Sequence, residues 1–146
     1  MRQIRPIEQS EGEDFLRVLC EVFDLDFKRA ASIFFHEPMF DIDRKWALFE
    51  DGGIASILTT VPLEFGWGRA VWIAGVATIA QRQRQGLASE LISEVLRHGA
   101  ASGEAPALLF AKRPGLYESL GFECLDEVIR AQIRFRPEVP CEVLEF

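Results

Sequence analysis

The amino-acid sequence predicts a single mixed α/β domain over residues 1–146, with a mainly antiparallel twisted sheet, helices on both faces and one parallel strand pair. Two amphipathic helical patterns come first. Three β-rich runs follow, separated by the turns "DGG" (51–53) and "GWG" (66–68), which is typical of an antiparallel meander. A strand, a helix and a strand then span 69–111, and such a crossover joins parallel strands.

The chain opens with an expected edge strand and a first helix. "RQIRPI" (2–7) alternates polar and apolar residues and reaches a proline, which suits the edge of a sheet. Ser10 with Glu13 three residues later has the form of a capping box. Behind it an apolar stripe recurs at helical spacing (Phe15, Leu16, Leu19, Cys20 and Phe23).

A second helix should follow, capped by Asp24 or Asp26. Its apolar positions are Phe27, Ala30, Ala31, Phe34 and Phe35. Pro38 should stop it, and 36–43 reads as an irregular loop.

The meander comprises strands 45–50, 54–65 and 69–79. Pro62 lies inside the second of these runs, where a proline predicts a bulge or an exposed edge.

The segment after residue 79 predicts a helix, a strand, a short helix and a last strand. The helix carries one apolar face (Leu87, Leu91, Ile92, Val95 and Leu96) and runs to about Gly99. "APALLFA" (105–111) is nearly continuously apolar, as expected of a strand buried on both faces. Pro114 and Gly115 should introduce the short helix, which Gly121 should end, and 128–136 alternates as the final strand.

Composition excludes several functions. With 49% hydrophobic and 27% charged residues the chain resembles a folded globular domain, and no apolar run approaches the ~20 residues that cross a bilayer. Since "MRQIRPIEQSEGEDF" lacks the apolar stretch of a secretory signal, we expect a cytoplasmic protein without a membrane partner. The net charge of −7 argues against nucleic acid as a partner, because such binding depends on basic patches.

The acidic excess is local. Residues 8–51 hold twelve acids and five bases, and this difference of −7 equals the net charge of the whole chain. One interpretation is a solvated surface that keeps the protein soluble. The other is an electric field that favours a cationic substrate.

Cysteine and histidine usage predicts no metal site. Cys20, Cys124 and Cys141 are far apart and form no CxxC arrangement, which indicates reduced thiols. His36 and His98 are too isolated for a metal centre.

The stretch "VATIAQRQRQGLASELI" (76–92) passes from an apolar run through a polar, basic turn into a helix. A helix start leaves backbone N–H groups unpaired and carries about half a positive charge, so it can bind an anion that nothing bulky obstructs. The turn supplies small residues, a hydroxyl donor and positive charge (Gly86, Ala88, Ser89, Arg82 and Arg84). These residue types suit a diphosphate.

Alternatives to this interpretation stay open on these residues alone. Gly86 could simply turn the chain among solvated side chains. The GxxxxGK[ST] motif is absent, and GxGxxG fails because Arg84 stands where that motif needs glycine. We therefore expect a diphosphate ligand that is neither a nucleoside triphosphate nor NAD.

Two motifs resemble those of the GNAT superfamily of acyl-CoA-dependent N-acyltransferases. That family joins V-x-T to Q/R-x-x-G-x-G/A, and here "VAT" (76–78) precedes "QRQGLA" (83–88) at the family spacing. "LYESLGF" (116–122) is similar to the family's Tyr-containing helix and its Leu-Gly-Phe ending. The order of elements agrees across nearly the whole chain.

The resemblance implies a GNAT-like fold and acetyl-CoA as co-substrate, with no metal. Strand 69–79 should splay from strand 105–111, helped by a bulge at Gly75. The segment Val76, Ala77 and Thr78 should bind the pantetheine arm through its backbone groups, and an amide near Val76 should stabilise charge on the thioester oxygen. Residues of the turn should hold the pyrophosphate (Gln83, Arg84, Gln85, Gly86, Leu87, Ala88 and Ser89).

Tyr117 corresponds in this resemblance to the proton donor for the departing CoA thiolate. It is the sole tyrosine of the chain, beside twelve phenylalanines. The other interpretation is an amphipathic core residue. A thiolate that leaves into an apolar cleft needs a nearby donor, which favours the catalytic role.

The chain also departs from the family pattern. Ala80 and Gln83 stand where members often carry Pro and Arg, changes that leave the backbone cradle intact. Trp72 stands where some members place a Glu that acts as general base. The candidates for that base are Glu64, His36, Glu37, Asp41 or an ordered water.

The resemblance implies direct acetyl transfer from acetyl-CoA to a primary amine of a small molecule or peptide. The alternative is a non-catalytic acyl-CoA-binding sensor or regulatory module, which the missing Glu supports. The acidic N-terminal half favours a cationic acceptor. Exposed edge strands with Trp67 and Trp72 leave room for a homodimer.

Overall fold

A computed structural model describes residues 1–129, in which five strands form one sheet in the order β1-β2-β3-β4-β5. The strands are β1 (Gln3–Pro6), β2 (Lys45–Glu50), β3 (Gly53–Phe65), β4 (Gly68–Thr78) and β5 (Ala107–Leu108). The helices are α1 (Gly12–Phe23), α2 (Phe27–Phe34), α3 (Leu87–Ala101) and α4 (Gly115–Glu118). Neighbouring strands from β1 to β4 are antiparallel, and β4 with β5 is parallel. The mixed sheet with one parallel pair is confirmed.

Two hydrophobic cores lie on opposite faces of this sheet. On the first face, α1 and α2 pack over the strands, with Phe15, Val18, Ala47, Ile57 and Ala77 buried. On the second face, α3 covers the sheet, with Leu48, Leu58, Ile73, Leu87, Leu91 and Ile92 buried. The alternation of side chains along each strand separates the two sets.

The predicted capping box of Ser10 with Glu13 is wrong. The reciprocal bonds join Glu8 and Glu11 instead, in a 3-10 turn that precedes α1. The Glu11 carboxylate accepts two hydrogen bonds from the Arg5 guanidinium, at 2.7 and 2.8 Å. This contact with β1 holds the carboxylate 2.7 Å from the Glu8 amide.

Asp26, rather than Asp24, caps α2. Its carboxylate accepts a hydrogen bond of 2.8 Å from the Arg29 amide. Asp24 adopts a left-handed backbone conformation (φ 52°) and ends α1.

Pro62 lies where β3 has passed the end of β2. The pairing of β3 with β2 ends at Thr59, so the segment 60–65 pairs with β4 alone among residues 1–129. Of the two predicted explanations for Pro62, the exposed edge is therefore the correct one, and the bulges of the sheet lie elsewhere.

The last predicted elements are confirmed only in part. The strand predicted over 105–111 has two residues in the ladder, Ala107 and Leu108, both half-buried, and Phe110 is 74% exposed. Burial on both faces is wrong, because both residues of β5 remain partly exposed. Helix α4 is where the sequence predicts it. Of the predicted strand 128–136, the first two residues form no strand and the rest lie outside the described residues.

One buried carboxylate fixes the end of the parallel pair. Glu104, 5% exposed in the connection between α3 and β5, accepts hydrogen bonds from Arg44 at 2.6 and 2.7 Å and from Arg69 at 2.6 Å. Its amide donates to the Gly99 carbonyl at 2.8 Å. The Arg44 guanidinium holds the pKa of Glu104 below its ordinary 4.5. The cluster joins this connection to the starts of β2 and β4.

We expect Glu104→Gln to lower the free energy of unfolding by about 3 kcal/mol, since it removes the buried carboxylate that pairs with both Arg44 and Arg69. Arg69→Gln is the matched control. Because the Arg69 side chain is 50% exposed, its loss should cost less than about 1 kcal/mol. Equilibrium urea unfolding measures both.

The pH dependence follows from the lowered pKa of Glu104. Its stabilisation is fully present above the unfolded value of about 4.5 and is lost as the pH falls through the folded value. Wild type and Glu104→Gln should therefore converge in acid. A difference that persists there would contradict this role.

Candidate active site

A bulge in β4 interrupts the middle of the sheet. Ile57 pairs with Ala77 and Thr59 with Ala74, so β4 carries one residue more than β3 between these pairs. Gly75 supplies the left-handed conformation (φ 61°) that this bulge needs. A Cβ on it would lie 3.2 Å from Leu19 of α1. The bulge predicted at Gly75 is confirmed.

The edge of β4 toward β5 is open beyond the first part of the strand. The parallel ladder contains two pairs, Val71 with Ala107 and Trp72 with Leu108. No described strand pairs with residues 73–78 on that side. Val76 borders the core beneath α3, while Ala77 is buried in the core beneath α1.

The Thr78 end of this open segment is held by hydrogen bonds to neighbouring residues. The Thr78 hydroxyl lies 2.9 Å from the Ser56 hydroxyl, and the Thr78 carbonyl accepts a hydrogen bond of 3.1 Å from the Gln83 side chain. The Gln83 amide also bonds the Ala80 carbonyl, at 3.4 Å. Gln83 therefore ties the end of β4 to the turn that follows.

Unpaired backbone donors surround the start of α3. Among residues 1–129, no acceptor is bonded to any of the six amides from Arg84 to Ser89. Arg84 and Gly86 are both left-handed (φ 62° and 78°), and no atom lies within 4 Å of where a Gly86 side chain would begin. Free amides at the positive end of a 15-residue helix are the geometry of a candidate anion site, and access to them is unobstructed.

The charge supplied by arginine differs from the expectation. Arg82 is 2.6 Å from Asp51 and 3.2 Å from Glu50, at the β2–β3 turn, so these carboxylates neutralise it. Arg84 is exposed and forms no ion pair with residues 1–129. The free positive charge of the turn is thus that of Arg84 and the helix start.

Tyr117 lies on α4 with its hydroxyl unengaged by residues 1–129. Its ring packs edge-on against Phe122, 5.9 Å between centroids, and the Phe122 amide donates to the Tyr117 carbonyl at 3.1 Å. The half-buried ring borders the core beneath α3, which Val76 borders too. Burial raises the pKa of the hydroxyl above its ordinary 10.0, so the proton is retained at neutral pH.

Four side chains lie beside the bulge on the sheet face that α1 and α2 cover: Thr59, Val61, Trp72 and Ala74. These residues pair as Thr59 with Ala74 and Val61 with Trp72. The Trp72 ring is 4.7 Å from the Phe110 ring, edge-on. We define these four residues as the acceptor floor, after the acceptor that the sequence leads us to expect.

None of the predicted base candidates belongs to this floor. Glu64 is an even number of residues from Leu58 and Thr60 along β3, so it shares their face of the sheet. That face is the one beneath α3, opposite the floor. His36, Glu37 and Asp41 are exposed in the connection from α2 to β2. The ring of His36 lies 3.1 Å from the Ser32 carbonyl.

Sequence reasoning missed Lys45, which lies at the start of β2 opposite Thr59 and is 6% exposed. The available signal was a lysine opening the apolar run "KWALFE" in a chain with only three lysines. Its burial depends on α2 and the following loop, which no local pattern reveals.

Within residues 1–129, no cluster of three or more His, Cys, Asp or Glu side chains could hold a metal ion. The helices of this part are each too short or too polar to span a bilayer.

Comparison with known proteins gives one family. The model of the acetyltransferase (GNAT) domain matches residues 3–125. None of the curated proteins matches the chain.

Solved structures share the fold. An aminoglycoside acetyltransferase from an uncultured soil sample has a TM-score of 0.72 at 21% identity, over 93% of this chain and 99% of its own. Glucosamine-6-phosphate N-acetyltransferase from Arabidopsis thaliana has 0.65 at 18%, over 93% and 99%. A predicted acetyltransferase from Clostridium acetobutylicum, solved with acetyl-CoA, has 0.63 at 17%, over 90% and 96%.

The single tyrosine makes its ionisation directly measurable. We expect the phenolate absorbance to appear at a higher pH in the folded protein than in denaturant, because burial disfavours the anion. A spectrophotometric titration, with circular dichroism to confirm the fold at each pH, checks this. Equal midpoints in the two states would show a solvated hydroxyl.

Proposed function

This chain belongs to the GNAT acetyltransferase family, and from that premise we propose that it transfers the acetyl group of acetyl-CoA directly to a primary amine. The observation that carries the proposal is the set of free amides at the start of α3, next to the open edge of β4. The site can thus receive an anionic group and an extended arm together.

The free amides of residues 84–88 and the Ser89 hydroxyl hold the pyrophosphate of acetyl-CoA in this proposal. Gly86 is the position of closest approach, since no protein atom lies within 4 Å of its missing side chain. Along the open edge of β4, backbone groups of Val76 and Thr78 bind the pantetheine arm as an added strand would. The Thr78 carbonyl already accepts from Gln83 and the Thr78 hydroxyl bonds Ser56, so the Thr78 amide and the backbone groups of Val76 supply these bonds.

Two groups act on the reacting thioester. The amide near Val76, displaced by the bulge, stabilises negative charge that develops on the thioester oxygen. Tyr117 donates its proton to the departing CoA thiolate. Its raised pKa suits this direction, because the hydroxyl enters the reaction protonated.

The acceptor is a primary amine of a small molecule or peptide. Similar folds named for acetylating an aminoglycoside and glucosamine 6-phosphate support a small-molecule acceptor. The exposed acids between α2 and β2 favour a cationic one. A homodimer and a cytoplasmic location remain predictions from the sequence.

The role of Gly86 can be tested against a matched glycine. Gly52 in the β2–β3 turn has a similar φ (81° against 78°), and neither position has an atom within 4 Å of an added Cβ. Alanine should therefore cost each about 1 kcal/mol of stability through backbone strain. Only Gly86→Ala places a methyl group in the proposed pyrophosphate space.

We expect acetyl-CoA affinity, measured by calorimetry, to fall at least about tenfold in Gly86→Ala and to stay unchanged in Gly52→Ala. Equal affinities in the two variants would contradict the proposed pyrophosphate site at the start of α3.

Tyr117→Phe separates the enzyme from the non-catalytic acyl-CoA-binding module. It removes one oxygen that bonds nothing within residues 1–129, so stability should change by less than about 1 kcal/mol. We expect turnover, followed as thiol release, to fall about 100-fold with acetyl-CoA affinity retained. A wild-type protein that binds acetyl-CoA but releases no thiol with any amine would support the module.

A further inference from the structure

A buried lysine lies in line with the bulge of β4. Lys45 pairs with Thr59, and Thr59 pairs with Ala74, the residue before Gly75. Directly paired residues have Cβ atoms about 5 Å apart on one face of a sheet. Lys45, Thr59 and Ala74 thus form one row that leads from β2 across the acceptor floor to the bulge.

The side chain of Lys45 is enclosed by aromatic rings. Its Nζ lies 5.2 Å from the centroid of Phe34 and 5.4 Å from that of Phe40. Among residues 1–129, no carboxylate forms an ion pair with it. A buried ammonium without an anionic partner is costly, unless the group gives up its proton.

The residue type matters at this position. The chain has three lysines against thirteen arginines, and the other two lysines, Lys28 and Lys112, are exposed. A guanidinium cannot lose its proton in a protein, whereas a buried amine can. Burial lowers the pKa of Lys45, opposed by the more distant carboxylates of Glu37 and Asp41.

The reaction needs such a group. The acceptor amine is protonated at neutral pH and must become neutral before it attacks. The residues that β4 contributes to the acceptor floor, Trp72 and Ala74, include no carboxylate that could take the proton. The candidate carboxylates of the α2–β2 connection are exposed to solvent, whereas Lys45 is buried beside the acceptor floor.

We propose that Lys45 is the general base, its neutral amine taking the proton from the ammonium of the acceptor. This inference rests on the proposed acetyltransferase function. The step is R–NH3⁺ + Lys45–NH2 → R–NH2 + Lys45–NH3⁺. The free amine attacks the thioester carbon, the C–S bond breaks, and Tyr117 gives its proton to the departing thiolate. The second proton, which the attacking nitrogen loses as the amide forms, restores the Tyr117 hydroxyl.

The enclosure of Lys45 suits both halves of its cycle. Burial away from water favours the neutral amine before the reaction. The ring faces of Phe34 and Phe40 attract a cation, so they lower the cost of the ammonium that then forms. The carboxylates of Glu37 and Asp41 add negative charge that favours this ammonium.

Two substitutions distinguish a base from a positive charge. Lys45→Met keeps an unbranched chain of similar length, and Lys45→Arg keeps the charge but cannot accept a proton. We expect kcat/KM for the acceptor at neutral pH to fall about 100-fold in both variants. Acetyl-CoA affinity should be unchanged in each. Lys28→Arg, at an exposed lysine, should behave as wild type.

The pH profile adds a readout that a purely structural role would not move. The deficit of Lys45→Met should shrink as the pH rises toward the pKa of the acceptor, because the free amine then needs no base. A deficit that stays constant with pH would overturn the proposal, as would a Lys45→Arg variant as active as wild type.

A second measurement needs no substrate. With ¹³C-labelled lysines, NMR gives three side-chain signals, and the one absent from Lys45→Arg belongs to Lys45. It should titrate below the ordinary lysine value of 10.5, and titration at or above that value would overturn the proposal. A wild type that binds no acetyl-CoA would instead contradict the proposed function. The lysine titration and the acetyl-CoA binding measurement therefore test the two proposals separately.

Discussion

The buried carboxylate of Glu104 is the constraint on which the open edge of β4 depends. A parallel ladder of two pairs is far shorter than an ordinary strand and has little strength of its own. Glu104 meets Arg44 and Arg69, and so it fixes the connection after α3 at the end of the sheet where β5 must start. Beyond Trp72 no further pairing draws β4 and β5 together in the described part of the chain. A strand pair fixed at one end only leaves an edge that an extended ligand can use.

The bulge at Gly75 then gives β4 two functions along one strand. At Val71 and Trp72, before the bulge, the strand is paired on both sides, with β3 and β5 as neighbours. At the bulge the extra residue shifts the register, and the strand continues with one side paired and the other open. The position requires glycine for its left-handed conformation, and the close approach of Leu19 reinforces this requirement.

The parts that local sequence determines could be predicted, and the parts that tertiary contacts determine could not. Gly75, Gly86 and Gly121 adopt left-handed conformations, which the glycine itself indicates in the sequence. The strands, the turns and α4 around them could therefore be predicted. The capping box that Glu8 and Glu11 form depends on Arg5 in another element, which no local pattern contains. Likewise Arg82 is a plausible anion ligand from its position, yet it is engaged by Asp51, 31 residues earlier in the chain.

The two faces of the sheet divide the chemistry of the candidate site. The α3 face carries the candidate anion site, Val76 and Tyr117, groups that suit the proposed acyl donor and its leaving thiolate. The opposite face carries the acceptor floor and Lys45, where an amine could enter and lose a proton. A regular strand would keep these faces apart along its whole length, since its side chains alternate strictly. The bulge is the one place in β4 where this alternation fails, and a thioester bound beside Val76 would there be open to attack from the other face.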